Sequence, residues 1–283
     1  MTRRILITGG TGSFGRAFAK WSLGNGASRV CIYSRGELAQ AQMRQDMQDH
    51  QSLRWFIGDV RDRDRLRRAM EGCDTVVHAA ALKRIEVGHY NPAEMVKTNV
   101  LGAMNVIEAA HDAGIVNVVM LSTDKAWQPI SAYGQSKALA ESLFLAANYA
   151  RGRTGPRFSV IRYGNVWNSN GSVLPTWIAL TAAGHQSVPI TDRRCTRFFM
   201  HMREAVAEVE GLLTVMDGGE LRIPDYLPAY QLGDLADALG VATHEVGLPP
   251  HEKLHEGLRD GLTSDKASRM TVDELRAAIA GVE

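Results

Sequence analysis

The segment Leu121–Lys137 reads LSTDKAWQPISAYGQSK and gathers acidic, basic and hydroxyl side chains into one short run. Tyr133 and Lys137 stand four positions apart, so on a helix they share a face. An ammonium beside a phenol stabilises the phenolate; bringing a phenol from its usual pKa near 10 to about 7 takes roughly 4 kcal/mol. Such a phenolate takes the proton of an alcohol while hydride leaves the same carbon. Thr123, just past a predicted strand, is the natural hydroxyl partner. Asp124 beside Lys125 is an ion pair in a turn if taken alone, and part of a reaction centre if taken with these neighbours.

Hydride chemistry needs a carrier, and the start of the chain offers it a place. The apolar run RILIT at 4–8 leads directly into TGGTGSFG at 8–15, with Gly9, Gly12 and Gly15 spaced GxxGxxG and a helical pattern following. These glycines allow a tight turn and a close approach of backbone to a pyrophosphate at a helix N-terminus. After the second strand an NAD site usually places an acid on the ribose 2′-hydroxyl. This chain has Tyr33-Ser34-Arg35 instead, a hydroxyl and a guanidinium fork that suit a 2′-phosphate. The expected cofactor is therefore NADP in preference to NAD, with Glu37 close by as a counter-argument. Asp59, after the third strand, is placed to meet the adenine or to cap a helix.

The elements that must position these groups alternate along the chain. Apolar runs at 4–8, 29–34, 53–58, 75–80, 116–122 and 158–164 are nearly continuous, as in strands buried on both faces. Helical patterns lie between them, such as 92–114, which opens at Pro92 and stops at Gly114. The fold class is α/β, a Rossmann-type doubly wound parallel sheet. After Val166 the chain becomes loop-rich, with helical patterns at MREAVAEVEGLLTVM and QLGDLADALGV. Residues 1–166 are read as a dinucleotide-binding domain and 167–283 as a smaller substrate lobe, with some elements shared.

The 283 residues are 45% hydrophobic and 22% charged, with a formal net charge of +1. That balance argues against nucleic-acid and membrane-surface partners, which favour a basic excess. Cys31, Cys73 and Cys195 are scattered and odd in number, without metal-ligand spacing, so neither a metal site nor a disulfide framework is expected. The first residues, MTRRILITGG, have no apolar run of signal-peptide length, and no segment approaches the roughly 18 apolar residues of a membrane span. A soluble cytoplasmic protein is expected.

The glycine-rich turn, the Ser-Thr after a late strand and YxxxK together resemble the extended short-chain dehydrogenase/reductase family. Further stretches narrow the likeness: YSRGEL, FIGDVRDRDRL, HAAALKRIEVGHYNPAEMVKTN, STDKA, RYGNV, ITDRRCTRF and EKLHE. In this order they resemble the inverting UDP-N-acetylglucosamine 4,6-dehydratases, from about residue 3 to about residue 260; the family's usual tail runs on further than the segment after Ser264. The resemblance implies cofactor contacts from Gly9, Thr11, Gly12, Ser13, Phe14, Gly15, Ser34, Arg35, Asp59, Val60, Ala79, Ala80, Lys83 and Asn99, with Tyr133 and Lys137. It implies nucleotide-sugar contacts from Lys83, Tyr163, Asn165, Ser172, Val173, Arg197 and Glu252; Trp127, where this chain departs from the family, is expected to contact the sugar nucleotide as well. It also implies a homo-oligomer, a dimer or larger, paired through the 92–114 helix and the Tyr133 helix.

The same resemblance gives Asp124 and Lys125 their roles. Family members with Asp-Lys here invert carbon 5, and those with Asp-Glu retain it. Once carbon 4 is a ketone, Lys125 removes the proton at carbon 5 and Asp124 protonates the departing 6-hydroxyl. Asp124 must then hold a proton, and Lys125 must fall well below its usual pKa of about 10.4, by burial or a nearby cation. Each such group is worth about 10²–10⁴ in rate.

The chain departs from the family on the substrate side. Trp127-Gln128-Pro129 puts a large ring beside the centre, and Asn170 and Pro249 stand where arginines are expected. Arg193, Arg194, Arg197 and His251 are the remaining phosphate candidates. An epimerase or reductase on another nucleotide or glycoside, and a non-catalytic dinucleotide-binding protein, are the competing readings. Intact Thr123, Tyr133 and Lys137 argue against the last.

Overall fold

The continuous apolar runs become central strands because parallel strands covered on both faces have no polar side to show. The computed structural model describes residues 2–281. β1 (Arg4–Thr8), α1 (Ser13–Gly24), β2 (Arg29–Ser34), α2 (Glu37–Asp46), β3 (Leu53–Ile57), α3 (Arg63–Met70) and β4 (Thr75–His78) form the first half. The second half continues with α4 (Ile85–Tyr90), then a helix from α5 (Pro92–Met95) through a π turn (Val96–Leu101) into α6 (Gly102–Asp112). After it come β5 (Asn117–Thr123), α7 (Ala132–Ala150) and β6 (Arg157–Tyr163).

The later chain contains α8 (Val173–Ala182), β7 (Val188–Ile190), β8 (Thr196–Phe198), α9 (Met202–Val215) and β9 (Leu221–Arg222). It ends with β10 (Ala229–Gln231), α10 (Leu232–Leu239), β11 (Thr243–Glu245), β12 (Gly257–Arg259), β13 (Leu262–Thr263) and α11 (Val272–Ala280). The main sheet has seven parallel strands in the order β3-β2-β1-β4-β5-β6-β9. This is the expected doubly wound α/β fold. The chain beyond 166 returns to it: β9 adds the edge strand beside β6, and the buried face of α9 joins the core that Phe18 and Ala19 of α1 share. A two-residue strand carries too little pattern to be read from sequence. The apolar residues of α8, α10 and α11 close a separate core around Trp167, Trp177 and Tyr230.

Strand order reverses between β1 and β4, and the loops at the carboxyl ends of these strands diverge to leave a crevice. The glycine turn fits beneath it only without side chains. Gly9 has φ +66°, and a Cβ there would sit 2.9 Å from the Ala80 backbone. A Cβ at Gly15 would come within 2.6 Å of the Gly10 backbone. Gly15→Ala is therefore expected to destabilise the fold by about 1–3 kcal/mol, the usual range for overpacking. A lower urea midpoint is the readout, and an unchanged one counts against this close packing.

Candidate active site

A cavity of 1010 Å³ opens over the carboxyl ends of the strands. Its floor is the β1–α1 turn, with Gly9, Thr11, Gly12, Ser13, Phe14 and Gly15 on the wall. Gly12 is the N-cap of α1, which therefore has no side-chain cap, and there is no acidic residue in its first turn. Its leading N–H groups thus suit an anion, and the glycine cradle leaves room for the backbone to approach one. A dinucleotide fits these residues. Ser34 and Arg35 line the cavity at the end of β2, Asp59 and Val60 after β3, and Ala79, Ala80 and Lys83 after β4. Arg35 lies 4.0 Å from Asp59 and is largely exposed. Burial pushes the Asp59 carboxyl up, but Arg61 and Arg35 more than offset this and hold it low. Asp59 is not a helix cap; Asp62 caps α3, accepting from the Arg65 N–H at 2.9 Å.

The opening segment folds so that its chemistry converges. Thr123 ends β5, and its hydroxyl accepts the Lys125 N–H at 3.3 Å, starting a 3₁₀ turn over Asp124–Ala126. Ser131 then caps α7 by accepting the Gly134 N–H at 3.1 Å. Thr123, Lys125, Tyr133 and Lys137 all line the one cavity. Asp124 does not: it is fully buried behind the wall, and its Oδ1 accepts from the Thr123 hydroxyl at 2.9 Å and from Lys125 Nζ at 3.0 Å. Burial raises Asp124 above the usual carboxylate value even with Lys125 beside it.

Two electrostatic expectations are overturned. Lys125 was to be lowered, and burial does pull it down. Asp124 and Glu256, however, lie 3.0 and 3.3 Å from its Nζ and drive it above the ordinary lysine value. Tyr133 was to be lowered by Lys137. Instead burial pushes the phenol up to about 12, and the groups that oppose this are Lys125 and the hydrogen bond shared with Thr123. Lys137 donates to the Leu121 carbonyl oxygen at 2.7 Å, and burial lowers it to about 8, leaving it mainly protonated at pH 7. Sharing a helix face brings two side chains near each other but does not decide which neighbour each one binds.

On the substrate side Tyr163, Asn165, Ser172, Glu252 and His251 line the cavity, as does Asn170. Four predicted contacts lie elsewhere. Asn99 is buried and clamps a loop, its amide meeting both backbone groups of Leu82 and the Ser136 hydroxyl. Val173 packs into the core of the later chain. Arg197 is buried in an ion pair with Glu252 and donates to the Leu254 carbonyl oxygen at 3.2 Å. Trp127 lies under the guanidinium of Arg162, 5.9 Å from its ring centre, and abuts Gly257. Its ring fastens the carboxyl-terminal strands to the reaction loop and does not face the cavity. Arg193 and Arg194 pair with Asp237 and Asp192, off the cavity. The residue missed in the sequence is Arg84, which lines the cavity against Gly171, next to Asn170. Its signal was the second basic residue of LKR; it restores a cation to the loop where Asn170 stands in place of arginine.

Comparison with known proteins agrees with this geometry. The family described as "Polysaccharide biosynthesis protein" matches residues 5–277. The UDP-N-acetylglucosamine 4,6-dehydratase (inverting) of Campylobacter jejuni (serotype O:23/36, strain 81-176) is 46% identical over 257 residues, 90% of this chain and 76% of that protein. The structure of Pen from Bacillus thuringiensis superposes with a TM-score of 0.93 at 31% identity, covering 98% of each chain. A dTDP-glucose 4,6-dehydratase from Streptomyces venezuelae, DesIV, solved with NAD bound, shares the fold at a TM-score of 0.84 and 22% identity over 98% of this chain and 96% of that one. This chain therefore belongs to the polysaccharide biosynthesis protein family, built on the extended short-chain dehydrogenase/reductase fold.

Proposed function

We propose that this protein is an NADP-dependent sugar-nucleotide 4,6-dehydratase that inverts carbon 5, acting on UDP-N-acetylglucosamine or a related nucleotide sugar. The observation that carries this reading is Lys125 on the cavity wall with Tyr133, paired at 3.0 Å with Asp124 buried behind it, since an epimerase or simple dehydrogenase needs no second acid and base. The inverting relative in Campylobacter jejuni supports the stereochemistry. Residues 1–166 would bind the dinucleotide and 167–283 most of the sugar nucleotide, with Lys83 and Arg84 as cavity-lining cations available to the diphosphate and the His251 imidazole on the same wall.

A dinucleotide held by the glycine cradle, Ser34 and Arg35 would supply reversible hydride transfer between carbon 4 and carbon 6. Tyr133 takes the proton of the 4-hydroxyl, with Thr123 hydrogen-bonded to it and the charge of Lys125 favouring the phenolate. Lys125 takes the carbon 5 proton. Asp124, behind the wall, supplies the proton of the departing water through the Thr123 hydroxyl, which touches both Asp124 and the cavity. The product is a 4-keto-6-deoxy sugar nucleotide.

Incubation with a panel of sugar nucleotides is expected to give a product lighter by one water, by mass spectrometry, with no net NADPH formed. A product of unchanged mass, or net consumption of NADPH, would replace this reading with epimerase or reductase chemistry. NADP preference is supported by Ser34 and Arg35 on the cavity wall. Arg35→Ala is expected to raise the Kd for NADP about tenfold and leave NAD unchanged, the low end for a charged hydrogen bond, because the side chain is exposed. Equal losses for both cofactors by titration calorimetry would remove the 2′-phosphate role.

The protein is further read as a cytoplasmic homo-oligomer. No helix among the described residues is long and apolar enough to cross a membrane. Val96, Leu101, Met104 and Leu139 are each 43–51% exposed on the π turn, α6 and α7, an apolar face that a second copy would cover.

A further inference from the structure

An ammonium held between two carboxylates is a poor base, and the second carboxylate is one the mechanism has not used. Glu256 precedes β12 and is 2% exposed. Its Oε1 lies 3.3 Å from Lys125 Nζ, and its Oε2 is buried without a hydrogen-bond partner among the described residues. The other neighbours of Nζ are Asp124 Oδ1 at 3.0 Å and Asn165 Oδ1 at 3.4 Å. Five charged groups face Glu256 or its partner: Lys125 and Asp124 from the reaction loop, Arg197 from β8, Lys253 from its own loop and Lys83 from the loop after β4, which faces Lys125. The phenols of Tyr133 and Tyr230 adjoin the same cluster. Glu256 does not itself line the cavity, so anything it does to substrate passes through Lys125.

We propose that Glu256 is a positioning residue whose fixed negative charge keeps one proton on the Asp124–Lys125 pair, so that this pair supplies both the acid and the base of the elimination. At rest the proton sits on Lys125 Nζ and Asp124 is a carboxylate. Moving it along the 3.0 Å contact to Oδ1 creates a neutral amine and a carboxylic acid together. The amine takes the carbon 5 proton. The electron pair left behind forms the carbon 5–carbon 6 double bond as the carbon 6–oxygen bond breaks. The departing hydroxyl receives the Asp124 proton through Thr123 and leaves as water. Lys125 ends as ammonium and Asp124 as carboxylate, the arrangement they started from. A carboxylate at 256 opposes loss of the shared proton to solvent, which would leave the pair with a base and no acid. This cycle rests on the dehydratase reading; the proton count on the pair is a property of the protein alone.

Two measurements on Glu256→Gln and Glu256→Asp test it. The first needs no substrate. Nitrogen-15 NMR follows the Lys125 ammonium, assigned by its loss in Lys125→Ala. In the wild type the signal persists past the ordinary lysine midpoint of about 10.4; Glu256→Gln brings the midpoint down by about one pH unit or more, and Glu256→Asp falls between. The second is the rate of water loss from UDP-N-acetylglucosamine. The wild-type rate stays flat on the alkaline side, and the Gln variant loses about tenfold per pH unit above its own midpoint, because the pair then holds no proton. An unchanged Lys125 midpoint in whichever variants fold overturns the proposal, as does a Gln variant with the wild-type pH profile at any rate. Absence of water loss in the wild type would overturn the dehydratase reading, and the NMR midpoint would still decide the role of Glu256.

Discussion

Lys125→Ala is expected to cut sugar-nucleotide dehydration by about 10²–10⁴, the usual worth of one acid–base group. The variant keeps the glycine cradle, Ser34, Arg35 and Lys137, so NADP is expected to bind as in the wild type. Oxidation at carbon 4 is expected to survive in weakened form. The charge of Lys125 is one of the influences that hold the buried Tyr133 phenol down to about 12, so its loss raises the phenol further and makes the phenolate scarcer at a given pH. The half-reaction, read as a transient of NADPH absorbance, therefore shifts to higher pH. A stalled variant that forms NADPH without losing water is the expected signature. Unchanged water loss would remove Lys125 as the base.

Glu141→Ala is expected to destabilise the fold by about 3–5 kcal/mol, the range for breaking a buried ion pair from one side. Arg162 and Glu141 are 7% and 4% exposed, and the guanidinium meets both carboxylate oxygens, with Nε to Oε1 at 2.9 Å. Its remaining nitrogen donates to the Leu258 carbonyl oxygen at 2.7 Å, and its face covers Trp127. One arginine thus joins α7, β6, β12 and the reaction loop. Without Glu141 it remains buried, unpaired and still charged. Glu141 also supports the protonated form of Lys137, one turn away, so its loss lets burial pull that lysine below its present value of about 8. Urea unfolding provides the measurement, and a change below about 1 kcal/mol would place the pair among weak surface bridges. The pair accounts for Trp127: the ring fills the space between Arg162 and Gly257, and so the feature that looked like a substrate filter anchors the carboxyl-terminal strands.

Local sequence carried the α/β architecture, because a strand buried on both faces must be apolar throughout and a helix between two such strands must cross over. The glycine spacing was equally legible as a motif: Gly15 is demanded by the Gly10 backbone within its own turn, although the contact that demands Gly9, the Ala80 backbone after β4, is long-range. So was the grouping of Thr123, Lys125, Tyr133 and Lys137, which one strand end and one capped helix carry to the same wall. What no local pattern held was the partner of each charge. Glu256 reaches Lys125 only because β12 packs beside the reaction loop, and it turns a group expected to be a free amine into a held ammonium. Arg197, a plausible phosphate ligand by motif, is consumed by Glu252 inside the protein, while Arg84, whose only mark was a second basic residue in LKR, comes to the cavity from the loop after β4. Side-chain identity and periodicity decide which face a residue occupies; burial and long-range pairing, which depend on how distant segments stack, decide its charge and what it touches.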